Sequence, residues 1–165
     1  MTVGLTNVPF RASQRVLLVK EFVVELVLWE REGFRLSRTR ILLADDHAQM
    51  LEYVRKFLSA EFEVVSAVSS GQAALETAAR LRPDVIILDI MMPNLGGIEV
   101  AMRLQESDLG VKTIFLTVEE DRDICLAALE TGAMGYVLKS RLGTDLIPAI
   151  KQVIAGGRFV SPGCE

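Results

Sequence analysis

Thiols and imidazoles are scarce in this chain of 165 residues: two cysteines and one histidine. Cys125 and Cys164 show no ligand-type spacing, which excludes a disulfide framework and a cysteine zinc site and fits a reducing cytoplasm. His47 by itself builds neither a histidine metal centre nor a triad, and it reads as a helix N-terminal residue. Basic charge is also short. Residues 40–165 hold 12 Lys/Arg against 18 Asp/Glu, an acidic body that argues against broad nucleic-acid binding. No long unbroken apolar run is present. Arg15–Trp29 is heavily apolar, but Lys20, Glu21 and Glu25 interrupt it: it is too short and too charged for a membrane span, and it lacks the unbroken apolar core and small-residue cleavage site of a secretory signal.

What remains is a core-forming composition. Half of the residues are hydrophobic and 24% are charged, enough for one domain with an extension. Residues 1–39 carry a net charge of +2 and form the extension. They suit an amphipathic helix that docks on the domain or on another chain, or an incidental product of an upstream start.

From Arg40 onward, strand-like runs alternate with amphipathic segments. The strands read Ile41–Ala44, Val64–Val68, Val85–Leu88, Thr113–Thr117 and Gly135–Leu138. The helices read His47–Ala60, Ser70–Leu81, Gly97–Glu106, Asp121–Thr131 and Asp145–Ala155, with Pro148 in the first turn of the last. Strict alternation predicts a parallel sheet covered on both faces, with a ligand site beyond the strand C-termini.

Asp45, Asp46, Asp89, Thr117 and Lys139 stand at or just after those C-termini. Taken singly, the Asp-Asp pair reads as helix capping, Asp89 as a turn opener, and Thr117 and Lys139 as ordinary surface groups. Tyr136 taken singly is strand packing, and Cys125 fills the buried face of its helix. Together, three carboxylates in one crevice repel one another and call for a hard divalent cation with oxygen ligands.

Four stretches carry a family resemblance: Leu42-Leu43-Ala44-Asp45-Asp46-His47, Ile87-Leu88-Asp89-Ile90-Met91-Met92-Pro93, Ile114-Phe115-Leu116-Thr117 and Gly135-Tyr136-Val137-Leu138-Lys139. Over residues 40–160 the chain resembles the receiver domain of bacterial response regulators. The closing Ala149–Pro162 stretch resembles the NarL/FixJ-type subfamily. The resemblance implies a flavodoxin-like α/β fold with a five-stranded parallel sheet of order 2-1-3-4-5, five helices, and a tail at 161–165. It implies that Asp89 accepts a phosphoryl group from a sensor histidine kinase. Mg²⁺ would be held by Asp46, Asp89 and the Met91 main-chain carbonyl, with Asp45 acting through water. Lys139 would pair with Asp89 and then with the phosphoryl group. Thr117 would follow the phosphoryl oxygen, and Tyr136 would rotate inward behind it. Met91 and Glu119 occupy positions that tune phosphoryl lifetime. A cytoplasmic location and phosphorylation-linked dimerisation follow from the same likeness.

Two positions depart from the family pattern: Ser140 replaces a proline that many receivers carry, and Val118 is bulkier than the usual alanine or glycine. The expected function is a two-component phosphoacceptor, not an enzyme beyond its own phosphorylation and dephosphorylation, that switches protein contacts. The chain ends at Ser161-Pro162-Gly163-Cys164-Glu165, too soon for a recognition helix, so direct DNA binding is not expected. The alternative is the receiver half of a truncated NarL/FixJ-type transcription regulator. A Mg²⁺-dependent phosphohydrolase is a third reading. It is disfavoured because Met91 stands where such enzymes carry an acid-base aspartate. A flavodoxin-like cofactor binder is disfavoured because an acidic pair replaces a phosphate-cradling loop.

Overall fold

Alternate residues of a strand face opposite ways, and the central strands of this chain are apolar on both faces. Burial therefore requires a layer of helices on each side. The computed structural model describes residues 38–163; Cys164 and all but the last two residues of the expected extension lie outside the described residues. One sheet contains β1 (Arg40–Ala44), β2 (Glu63–Val68), β3 (Val85–Leu88), β4 (Lys112–Thr117), β5 (Gly135–Leu138) and β6 (Phe159–Val160). Its order is β2-β1-β3-β4-β5-β6, and all neighbours are parallel.

Five helices cover the sheet: α1 (Ala48–Leu58), α2 (Gly71–Leu81), α3 (Gly97–Glu106), α4 (Arg122–Glu130) and α5 (Leu142–Ile154). One core joins Leu42, Ala44, Ile86, Leu88, Phe115 and Tyr136 to Ala74 and Ala78 of α2, Val100 and Leu104 of α3, and Cys125 and Ala128 of α4. The other joins Ile41, Leu43, Val85, Ile87, Ile114, Leu116 and Val137 to Val54 and Leu58 of α1 and to Leu146, Ile150 and Val153 of α5. The period-two alternation sorts each strand's residues between these cores. Cys125 is fully buried, as its helix periodicity predicts.

Local signals set the helix ends. The Ser70 hydroxyl accepts from the Ala73 N–H at 3.3 Å, and Asp121 accepts from the Asp123 and Ile124 N–H groups at 2.8 and 3.2 Å. Gly132 and Gly156 follow α4 and α5 at φ of +89°, where a side chain would be strained.

Two differences from the sequence expectation stand out. First, a sixth strand lies beside β5, where the Ser161 N–H donates to the Tyr136 carbonyl at 2.8 Å; two residues are too few for a periodicity signal. Second, α5 begins three residues early, because a 3₁₀ turn at Lys139–Arg141 runs straight into it. Pro148 consequently lies inside the helix, not in its first turn. It is tolerated because Pro148 and Thr144, whose carbonyl loses the helical bond, both face solvent. Among the described residues no helix is long and apolar enough to cross a membrane.

Candidate functional site

β1 and β3 lie side by side in register, Ala44 opposite Leu88, so the residue after each strand emerges at the same sheet edge. Those residues are Asp45 and Asp89. The Asp45 N–H donates to the Val68 carbonyl at 3.1 Å and the Asp89 N–H to the Ala44 carbonyl at 2.9 Å, continuing the ladder past the strand ends. Thr117 closes β4 opposite Leu138, and Lys139 follows Leu138 directly. The strand order reverses between β1 and β3, where open parallel sheets form their ligand crevice. Apolar Met50, Leu51, Val54, Ile87 and Leu116 line the crevice beside Asp45 and Asp89.

Lys139 is the hub of this edge. Its Nζ lies 2.7 Å from Asp45 Oδ2 and 3.0 Å from Asp89 Oδ2. The three side chains are only 9%, 7% and 3% exposed. Burial raises the pKa of Asp89; the hydrogen bond and charge of Lys139 oppose that rise, Asp45 adds to it, and the Met91 backbone N–H lowers it slightly. Burial alone would depress Lys139, but hydrogen bonds to Asp45 and Asp89, with their charges, outweigh it and raise its pKa. The ammonium thus stays charged and holds two like charges at close range.

One ligand atom from each of Asp45, Asp46, His47 and Asp89 falls within 4.8 Å of the others. Asp89 Oδ1 is buried and has no hydrogen-bond partner among the described residues. A buried carboxylate oxygen left unpaired is costly unless a cation or donor meets it. With oxygen donors converging on that atom, the residues fit a small divalent cation.

Residues 41–151 match the family model of the response regulator receiver domain. The chain belongs to the response-regulator receiver family. It is 36% identical over 128 residues to the transcriptional regulatory protein DegU of Brevibacillus brevis, covering 76% of this chain and 54% of that protein. It is 35% identical over 123 residues to the nitrate/nitrite response regulator NarL of Escherichia coli K12, covering 73% and 57%. The crystal structure of a LuxR-family two-component response regulator from Aurantimonas sp. SI85-9A1 superposes with a TM-score of 0.74 at 31% identity, covering 78% of this chain and 93% of that one. The chain spans little more than half the length of the curated relatives it matches.

In this receiver the expected residues divide into those drawn together and those set apart. Asp45, Asp46, Asp89 and Lys139 converge. Lys139 was expected to pair with Asp89 and also takes Asp45, at the shorter distance. Fully buried Thr117 accepts from the Glu119 N–H at 3.2 Å. Tyr136 is already inward, fully buried, with its hydroxyl donating to the Glu119 carbonyl at 2.9 Å. The expected rotation on phosphorylation therefore starts from a ring that is in place. Met91 and Val118 are exposed at 59% and 64%, an apolar fringe outside the acidic group. No peptide bond among the described residues is cis.

Two features escaped the sequence. His47 is the N-cap residue of α1, as expected, but its Nδ1 also lies 3.2 Å from Asp45 Oδ1 and 2.9 Å from Asp46 Oδ1. The run Asp45-Asp46-His47 was the available signal. Behind Lys139, the Ser161 hydroxyl donates to Asp145 Oδ2 at 2.7 Å and accepts from the Leu138 N–H at 3.2 Å. Arg141 and Thr144 also bond Asp145. Only the Arg141–Asp145 pair is local, at i,i+4; Leu138 on β5 and Ser161 after β6 reach the clasp from elsewhere in the chain, which no local pattern announces.

Proposed function

We propose that this receiver takes a phosphoryl group on Asp89 from the phosphohistidine of a sensor histidine kinase. The single observation that carries the reading is the buried Asp89 carboxylate, bonded by Lys139 through Oδ2 and unpartnered at Oδ1, at the edge shared with Asp45 and Asp46. An Asp89 oxygen forms the new bond to phosphorus as the phosphorus–nitrogen bond breaks, and the kinase imidazole leaves with the electron pair. Lys139 is already charged at 3.0 Å from Asp89, so it can pass from the carboxylate to a phosphoryl oxygen with little movement. Thr117 turns its hydroxyl from the Glu119 N–H toward the phosphoryl group, and buried Tyr136 then holds the vacated side closed. Asp46, Asp89 and the Met91 carbonyl are the residues that would hold Mg²⁺, with Asp45 behind them. When bound, Mg²⁺ supplies charge neutralisation to the transferring group. Met91 and Glu119, flanking the site, set how long the acyl phosphate survives.

On this reading residues 40–160 are the receiver, 161–165 a tail and 1–39 an extension, and the protein works in the cytoplasm. Phosphorylation changes local charge and so shifts the balance between conformers that contact a downstream protein or a second copy. A small phosphodonor can replace the kinase, and the acyl phosphate hydrolyses in time. A second reading, the receiver portion of a NarL/FixJ-type transcription regulator, is favoured by the names of the relatives and by the share of their length matched. A phosphohydrolase is disfavoured because Met91 follows Asp89 where an acid-base aspartate would stand.

Incubation with acetyl phosphate and Mg²⁺ tests the proposal. Labelling of the wild type, lost in Asp89→Asn and on chelation, supports it; undiminished labelling of Asp89→Asn refutes it. A shift of operator DNA by the labelled chain would favour the second reading.

A further inference from the structure

We propose that His47 is a nitrogen ligand of the acidic cation site, so that this receiver accepts imidazole-binding divalent metals such as Ni²⁺ as well as Mg²⁺. The inference rests on the reading of the Asp45–Asp46–Asp89 crevice as a cation site. Lys139 takes Oδ2 of Asp45 and Oδ2 of Asp89; Asp45 Oδ1 accepts from the His47 backbone N–H at 2.8 Å, and Asp89 Oδ1 is left over. Asp89 Oδ1 is buried in a residue only 3% exposed and has no partner. The Oδ1 atoms of Asp45 and Asp46 converge on one atom, His47 Nδ1, at 3.2 and 2.9 Å. The ring is therefore turned toward the two carboxylates and not onto the end of α1. It makes no side-chain capping bond to α1, and its backbone N–H is already satisfied by Asp45 Oδ1 at 2.8 Å.

A cation seated among these atoms meets two or three carboxylate oxygens and one imidazole nitrogen. The donor set has consequences for metal choice. Carboxylate and carbonyl oxygens suit Mg²⁺ and Mn²⁺, whereas imidazole adds little for Mg²⁺ and much for Ni²⁺. A receiver with this nitrogen donor rises in affinity along the first-row series more steeply than one without it.

The test uses the full chain, its His47→Ala variant and Mn²⁺, whose pulsed electron paramagnetic resonance reports directly bound nitrogen. The His47 side chain is 70% exposed and makes no capping bond, so its truncation leaves the fold intact, which circular dichroism checks. The wild type should show ¹⁴N modulation from one imidazole, absent in His47→Ala. Titration calorimetry should show Ni²⁺ affinity falling about tenfold or more in the variant while Mg²⁺ affinity changes less than about threefold. Mn²⁺ binding without ¹⁴N coupling, or a parallel loss for Ni²⁺ and Mg²⁺, overturns the inference and leaves the acidic cation site standing. Absence of any divalent binding overturns both.

Discussion

Replacing Lys139 with methionine is the most informative single perturbation of this receiver. The side chain keeps its length and apolar stem but loses the ammonium that touches Asp45 at 2.7 Å and Asp89 at 3.0 Å. At an effective dielectric constant of about 20, each contact corresponds to roughly 5–6 kcal/mol of Coulomb attraction before desolvation is subtracted. Removing one partner from a buried ion pair costs about 3–5 kcal/mol, because the other charge is left without compensation. The crevice opens at the strand ends, where water can reach the two carboxylates. We therefore expect a loss of about 3 kcal/mol at pH 7, read by urea unfolding. The pH dependence fixes the cause. Asp89 already has a raised pKa, and without Lys139 it rises further. A carboxyl whose folded pKa exceeds its unfolded one binds its proton first in the folded state, so the variant's deficit must shrink as the pH falls through that raised value. Lys139 in the wild type, itself raised, contributes fully below its unfolded pKa and is lost only at strongly alkaline pH. Added Mg²⁺ should recover part of the loss by replacing the missing charge. A deficit below about 1 kcal/mol, or one equally large at pH 4 and pH 7, would show that Lys139 does not hold the two carboxylates in place.

Three further outcomes follow from the geometry. Asp145→Asn should cost about 1–2 kcal/mol at neutral pH, because hydrogen bonding by Arg141 is the largest of the contacts that hold the Asp145 pKa down to about 2. With its folded pKa lowered, that contribution is present above the unfolded value of 3.8 and fades as pH falls toward 2, so wild type and variant should converge in acid. Gly97→Ala should destabilise the fold by about 2 kcal/mol in urea unfolding and lower acetyl phosphate labelling, because a Cβ there collides with the Asp89 backbone carbonyl. Tyr136→Phe should lose about 1 kcal/mol with the bond to the Glu119 carbonyl; an unchanged midpoint would mean that bond does not hold the ring inward.

The sheet and the acidic edge were legible in the sequence for a shared reason. Val85-Ile86-Ile87-Leu88 is apolar at every position, which only a strand covered on both faces sustains. The residue that ends such a strand must lie at the rim, so Asp45, Asp89 and Lys139 could be placed together from strand ends alone. Contacts that depend on exact side-chain direction could not. That Lys139 would also reach Asp45, that the His47 ring would turn onto Asp45 and Asp46, and that Tyr136 would already be buried are set by rotamers and by neighbours distant in sequence. The start of α5 was placed three residues late because the 3₁₀ turn at Lys139–Arg141, which runs straight into the helix, leaves no periodicity signal; Asp145 lies inside the helix, its carboxylate committed to Arg141, Thr144 and Ser161.

Locating the covalent bond decides whether Asp89 is the phosphoryl-accepting carboxylate. The chain is treated with acetyl phosphate and Mg²⁺, the acyl phosphate is reduced with borohydride, and the modified residue is mapped by peptide mass spectrometry. Reduction confined to Asp89, and absent when Mg²⁺ is chelated, is the predicted result. Modification at Asp45, Asp46 or elsewhere with Asp89 untouched would contradict it.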